Sequence, residues 1–214
     1  MKKRLWLALC CLLAFVLWTV GVQQIDVQTI GPNGSAVGFG MLNGMVHRLT
    51  GVHMELYTVT DWLGLVPLAT AMGFGILGLV QWTRRGSIKK VDGSILLLGG
   101  FYLVTMGMYL LFEQIVVNYR PVLINGYLEV SYPSSTTLLV LCVMPTALLQ
   151  LRQRIQKTWF RRWVTAVITA FIGFMVIGRL LSGVHWLTDI IGGILLSAGL
   201  VLLYKTMTER NEKQ

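Results

Sequence analysis

Long apolar runs recur along the chain, at residues 5–22, 59–82, 93–117, 134–151, 163–182 and 186–204. Each approaches the roughly 20 residues that an α-helix needs to cross about 30 Å of hydrocarbon. The pattern predicts an all-α integral membrane protein with six transmembrane helices in a single membrane domain over residues 1–214. No long linker, low-complexity segment or internal repeat interrupts it. The first run follows Met1, Lys2, Lys3 and Arg4 and so opens like a signal peptide. It is long enough to span a bilayer and no A-x-A site follows it, so a retained first helix is expected. Between the first two runs, residues 23–58 hold Gly31, Gly34, Gly38 and Gly40 and a weakly amphipathic stretch from Met41 to Val46. Such a stretch belongs at the membrane interface.

Composition sharpens this picture. Only 13% of the residues are charged, against about 25% in soluble domains. The formal net charge is +9, which taken alone would fit a nucleic-acid partner. Placement of the charges excludes that. Lys2, Lys3 and Arg4 precede the first run. Arg84, Arg85, Lys89 and Lys90 separate the second and third. Arg152, Arg154, Lys157, Arg161 and Arg162 separate the fourth and fifth, and Lys205, Arg210 and Lys213 follow the sixth. With both termini inside, all four clusters fall on the cytoplasmic face, as the positive-inside rule demands. The expected location is a plasma membrane, bacterial in type, and no nucleic acid is expected as a partner. Only Arg48, Arg120 and Arg179 stand outside these clusters.

Other features are bland. Cys10, Cys11 and Cys142 lie inside apolar runs with neither disulfide nor metal-ligand spacing, and read as small buried hydrophobes. Trp6, Trp18, Trp62, Trp82, Trp159, Trp163 and Trp186 fall near run ends, as an aromatic belt would. Gly193 and Ser197 form a small-xxx-small pair suited to close helix packing. They permit a dimer without requiring one, so the oligomeric state stays open.

Candidate chemistry gathers around two of the three exceptional arginines. Asn118, Tyr119, Arg120 and Pro121 follow the third run. Tyr132, Pro133, Ser134, Ser135, Thr136 and Thr137 open the fourth. Gly178, Arg179, His185 and Asp189 run from the fifth into the sixth. The six-span arrangement brings all three segments to one outer face. His185 and Asp189, four apart, share a face on a helix. A carboxylate so placed fixes the imidazole tautomer and leaves the other ring nitrogen free to attack. Guanidinium forks match phosphate oxygens. Ser134 is a suitable N-cap, and the free N–H groups of the helix behind it would face an anion.

This set resembles the motifs of the type-2 phosphatidic acid phosphatase family of membrane phosphatases, which is related to the vanadium haloperoxidases. The family pattern is Lys-x6-Arg-Pro, then Pro-Ser-Gly-His, then Ser-Arg-x5-His-x3-Asp. The resemblance covers 113–189 by motif and the whole chain by its six spans. Arg120-Pro121, Pro133-Ser134, Arg179, His185 and Asp189 match it. It implies a haloperoxidase-like helical bundle and a lipid phosphate substrate. His185 would be the nucleophile and Asp189 its orienter. Arg120, Arg179, Ser134, Ser135 and Thr136 would surround the phosphate. The phosphohistidine route needs neither metal nor cofactor, and none is expected.

Four positions depart from the pattern. Glu113 replaces the lysine, Ser135 the glycine and Gly178 the serine. Thr136 stands where the family has the histidine that protonates the leaving oxygen. A positioned general acid is worth roughly 10²–10⁴-fold in rate, and a threonine cannot supply it at neutral pH. His47 and His53, in the outer loop, read as interfacial histidines. Glu113 and Glu129 would be held ionised by two nearby arginines. None of the four is assigned as a replacement acid. Three functions fit: a phosphatase whose substrate has a good leaving group, such as an isoprenoid pyrophosphate; a lipid phospho- or headgroup transferase; and a non-catalytic relative that binds an anionic lipid.

Overall fold

The computed structural model describes residues 2–211. Met1 and Lys213 lie outside them. Among the described residues the chain forms eight α-helices and no sheet. These are α1 Lys2–Gln24, α2 Gly40–Thr50, α3 Met54–Leu63, α4 Leu65–Arg85, α5 Gly93–Gln114, α6 Ser135–Arg154, α7 Thr158–Leu181 and α8 Leu187–Asn211. Six spans are long and apolar enough to cross a membrane: α1, α3 with α4, α5, α6, α7, and α8 as far as Arg210. Each overlaps one predicted run. The expected all-α integral membrane fold is the observed one.

The second span departs from a simple continuous helix. It starts earlier than predicted and breaks at Gly64. Pro67, in the first turn of α4, has no N–H to return to the preceding turn. The Gly64 N–H is shared between Thr60 O and Asp61 O, each at 3.0 Å. The break lets α3 pack on α7 while α4 packs on α5 and α6. The amphipathic stretch after the first span becomes α2, which docks on the start of α8.

Helices α6 and α8 form the centre of the bundle and are its most buried spans. One core joins Phe15, Leu98, Phe101, Leu138, Leu196 and Tyr204. A second joins Val140, Met144, Ile168 and Met175 between α6 and α7. The outer faces carry exposed leucines, valines and methionines, as a lipid-facing surface should. Two expectations need correction. Only Cys142 is buried; Cys10 is exposed and Cys11 half-buried. Trp18 and Trp186 are not belt residues, for each turns inward to a backbone carbonyl: Trp18 Nε1 donates to Thr188 O at 3.1 Å and Trp186 Nε1 to Tyr119 O at 2.8 Å.

The helix α1 runs along α8 and closes the bundle. Thr19 Oγ1 and Tyr132 OH share a hydrogen bond of 2.7 Å, and Arg4 pairs with Glu209 at the far end. A side-chain hydrogen bond between spans averages only about 0.6 kcal/mol. Close packing therefore holds these helices, with Leu12 seated against Gly199.

The loop between α7 and α8 has no such freedom. Gly183 has φ +69, and a Cβ there would lie 2.0 Å from Gly51 O. Gly86 has nearly the same φ, +71, with nothing near its missing Cβ. Gly86→Ala therefore costs only the backbone strain, about 1–3 kcal/mol. Gly183→Ala adds a backbone collision and lowers the thermal midpoint in detergent several-fold more. Equal shifts in the two variants would refute the close approach of the 51–53 and 182–183 segments.

Candidate active site

Three chain segments meet at one end of the bundle. Residues 118–131 leave α5 as a narrow loop closed by bridges between Tyr119 and Val130 and between Ile124 and Tyr127, with Asn125 and Gly126 at positive φ in its tip. Ser131 N donates to Asn118 O at 3.0 Å and Arg120 N to Glu129 O at 2.9 Å. The Pro133–Ser134 turn is tied directly to α8, because Ser134 N donates to the Asp189 carbonyl at 3.1 Å. The second and third motifs are thus joined by backbone alone.

Asp189 is fully buried in the first turn of α8. Its Oδ1 accepts from Asn118 Nδ2 at 3.2 Å and its Oδ2 from Trp186 N at 2.9 Å. The same oxygen lies 3.7 Å from His185 Nδ1, a gap beyond hydrogen-bond length. On the other side of the ring, Arg120 Nη1 lies 3.4 Å from Nε2. An arginine can only donate. This contact therefore puts the ring proton on Nδ1, toward Asp189, and leaves the Nε2 lone pair facing Arg120. Burial, with the positive charges of Arg120 and Arg179, holds the imidazole well below the ordinary histidine range, and the Ser131 backbone does not offset them. His185 is a neutral base at physiological pH.

The two arginines flank one aromatic ring. Arg179 Cζ lies 5.0 Å and Arg120 Cζ 5.9 Å from the Tyr57 centroid. Arg179 Nη1 donates to Thr60 Oγ1 at 3.4 Å and faces Asp61 Oδ1 at 3.6 Å. Arg120 Nε lies 3.0 Å from Glu129 Oε2, yet off the line a hydrogen bond needs. Five buried side-chain nitrogen or oxygen atoms among the described residues lack a hydrogen-bond partner. Three of them are Arg120 Nε, Arg179 Nε and His185 Nδ1. An unpaired buried donor costs about 1–3 kcal/mol. Three in one place mark a site shaped for an acceptor-rich ligand.

The remaining predicted residues divide. Ser135 lines a small cleft with His185, Glu113, Tyr109 and Pro133. Ser134 and Thr136 do not line it. Ser134 occupies the N-cap position of α6, but its side chain makes no capping bond; its Oγ accepts from Thr137 Oγ1 at 3.0 Å. Thr136 turns its methyl toward Gly64, at the α3–α4 break. His47 packs on Trp186 with ring centroids 5.4 Å apart, and His53 Nε2 meets Thr50 O at 2.9 Å. Neither lies in the cleft. The glycine at 178 has a local cause: a Cβ there would sit 2.8 Å from Thr60 Cγ2. Its absence lets α3 bring Tyr57, Thr60 and Asp61 onto Arg179.

Sequence reasoning missed Asn118 as a partner of Asp189, and Tyr57 and Asp61 as partners of Arg179. Asp61 left a signal, since an ionisable residue inside the 59–82 run is costly in a membrane and so asks for a partner.

Comparison with known proteins gives the family and the fold. The PAP2 superfamily profile matches residues 69–213. The chain belongs to the PAP2 superfamily. Among solved structures, it resembles a transmembrane PAP2-type phosphatidylglycerolphosphate phosphatase from Bacillus subtilis. The two are 17% identical and superpose with a TM-score of 0.56 over 95% of this chain and 96% of that one. No curated protein sequence matches the chain significantly. The structural likeness is one of fold, and its 95% coverage extends beyond the residues that the superfamily profile reaches.

Asn118 donates a side-chain hydrogen bond to Asp189 Oδ1, beside the Ser131 hydroxyl, and is itself buried. Asn118→Ala removes a bond to a carboxylate worth about 1.5–3 kcal/mol. The thermal midpoint in detergent should fall by roughly 3–12 °C for a chain of this size. An unchanged midpoint would show that Asp189 is held without it.

Proposed function

We propose that this protein is a membrane phosphatase that acts on lipid phosphates or pyrophosphates, with the whole chain serving as one membrane domain. One observation carries the proposal. The Nε2 lone pair of a neutral His185 faces Arg120, and both arginines keep a buried Nε–H without a hydrogen bond. A nucleophile and two phosphate forks thus share one spot. Membership of the PAP2 superfamily supports it.

In the first step His185 Nε2 attacks phosphorus. The P–N bond forms, the P–O bond to the leaving group breaks, and that oxygen keeps the electron pair. Arg120 and Arg179 hold the phosphoryl oxygens as charge shifts onto them. Asp189 stabilises the Nδ1 proton while the ring becomes cationic. In the second step water attacks phosphorus, the P–N bond breaks with its electron pair returning to Nε2, and phosphate leaves carrying the water oxygen and its protons.

Substrate choice follows from the missing acid. Thr136 has no proton to give at neutral pH and does not line the cleft. A leaving group must depart unprotonated. A phosphate monoester can do so, because its second pKa is near 6; a simple alkoxide cannot. A lipid pyrophosphate, such as an isoprenoid pyrophosphate, is the favoured class. Detergent-purified protein should release inorganic phosphate from an isoprenoid pyrophosphate at least about 100-fold faster than from phosphatidic acid. His185→Ala should abolish that release without changing expression. Full release in that variant would refute the mechanism, and no release from either lipid would favour a non-catalytic anionic-lipid-binding relative.

The basic clusters give the orientation. Lys2–Arg4, Arg84–Lys90, Arg152–Arg162 and Lys205–Arg210 lie at the bundle end opposite His185. By the positive-inside rule that end is cytoplasmic and the site extracytoplasmic, with both termini inside. Asn125 and Lys157 are exposed at opposite ends. A cysteine at Asn125 should react with an impermeant thiol reagent in intact cells, and one at Lys157 only after permeabilisation. The reverse pattern would invert the orientation.

A further inference from the structure

Arg48 is the exceptional arginine that the site leaves unused. It lies on α2, at the same end of the bundle as His185, so the clustering of basic residues at the opposite end does not explain it. Arg48 lines a cleft with Gln28, Gly44, His47 and Trp186. It makes no ion pair or hydrogen bond among the described residues. Its guanidinium folds over Gly44, with Nη1 3.4 Å from the position of a Cβ there. His47 brings a second donor group, an imidazole that burial holds below its ordinary range, and its Nδ1 is buried without a hydrogen-bond partner. Asp26, on the segment before α2, accepts instead from Gln28 Nε2 at 2.6 Å and from Met41 N at 2.8 Å.

The place of α2 says what could reach this cleft. Met41, Met45 and Leu49 repeat at helical spacing and are exposed, Met41 by 73% and Leu49 by 79%. An apolar stripe on a short helix at the bundle end lies in the membrane interface. Phospholipid phosphates occupy that level. Helix polarity accounts for cations in the last turn of α2, but not for an unpaired buried nitrogen in a cleft beside them.

We propose that the cleft is a second phosphate subsite, which takes the headgroup of a bilayer phospholipid lying beside the catalytic centre. Arg48 grips the phosphate oxygens and His47 Nδ1–H donates to one of them. Trp186 is the wall between the two sites. Its indole packs on His47 on one side, and its backbone N–H holds Asp189 on the other. The subsite stands independently of the phosphatase mechanism.

Native mass spectrometry of the full-length protein tests this, with dihexanoyl phosphatidylglycerol as the probe. Wild type should bind two molecules. Arg48→Gln should weaken one of them by about tenfold or more, and His47→Phe, which keeps the stacking on Trp186, should weaken the same one. Arg120→Gln should weaken only the other, so a failure of the catalytic cradle is read separately. Inorganic phosphate runs in parallel. Arg48-dependent binding of phosphate alone assigns the subsite to any phosphate; binding of the lipid alone assigns it to headgroup and stripe together. Unchanged affinity for both probes in Arg48→Gln and His47→Phe would overturn the proposal. So would weaker binding accompanied by a lower thermal midpoint of the lipid-free variants, since that marks a structural role.

Discussion

The burial of Asp189 is the constraint on which this site depends. A carboxylate with no exposure at the end of a membrane bundle is tolerable only when donors surround it. Asn118 and the Trp186 N–H supply them, from the α5–α6 loop and from the turn before α8. Its own carbonyl takes the Ser134 N–H, which fixes where α6 begins. Three segments far apart in sequence are therefore fastened to one residue. His185 is positioned because the turn that carries it must also offer the Trp186 N–H to that residue.

A buried polar network extends this fastening to the interfacial helix. Asn43 is fully buried, and its amide donates to Thr188 Oγ1 at 2.9 Å and accepts from Thr188 N at 3.2 Å. Asn118 reaches the same hydroxyl at 3.4 Å. The chain Asn43, Thr188, Asn118, Asp189 links α2 to the dyad with each member satisfied. Such networks specify one arrangement because any displacement leaves a buried group unpaired. The segment between the first two spans is thus part of the site's scaffold rather than a cover laid over it.

The six spans were legible because their cause is local. A run of about 20 apolar residues announces itself without knowledge of its neighbours. The basic clusters were legible for the same reason. His185, Asp189, Arg120 and Arg179 could be picked out because each is an ionisable residue near a span end yet outside the clusters. What the chain did not disclose depends on approach between helices. The break at Gly64, with Pro67 beyond it, lay within an apolar run and read as continuous. Gly178 read as a lost serine. A side chain there would push Thr60 away from α7. Thr136 looked placed to touch phosphate, but the turn of α6 that points Ser135 into the cleft points Thr136 at Gly64 instead.

The arrangement of charge bears on how a site rich in carboxylates would take the dianion proposed for it. Arg120 and Arg179 are buried, whereas the carboxylates that face them are open to water, Glu129 by 42% and Asp61 by 57%. An ion pair with one exposed partner is worth about 0–1 kcal/mol. A phosphate that forks onto a buried guanidinium makes charge-assisted bonds of about 1.5–3 kcal/mol each, and it satisfies Nε–H groups that Glu129 and Asp61 leave unpaired. For a phosphate bound as proposed, the exchange would be favourable, and Glu129 and Asp61 lie exposed enough to be released to solvent. Glu113 differs, since it lines the cleft itself in place of a lysine. On the proposed reading it would narrow the choice of ligand to one whose charge the two arginines alone can hold.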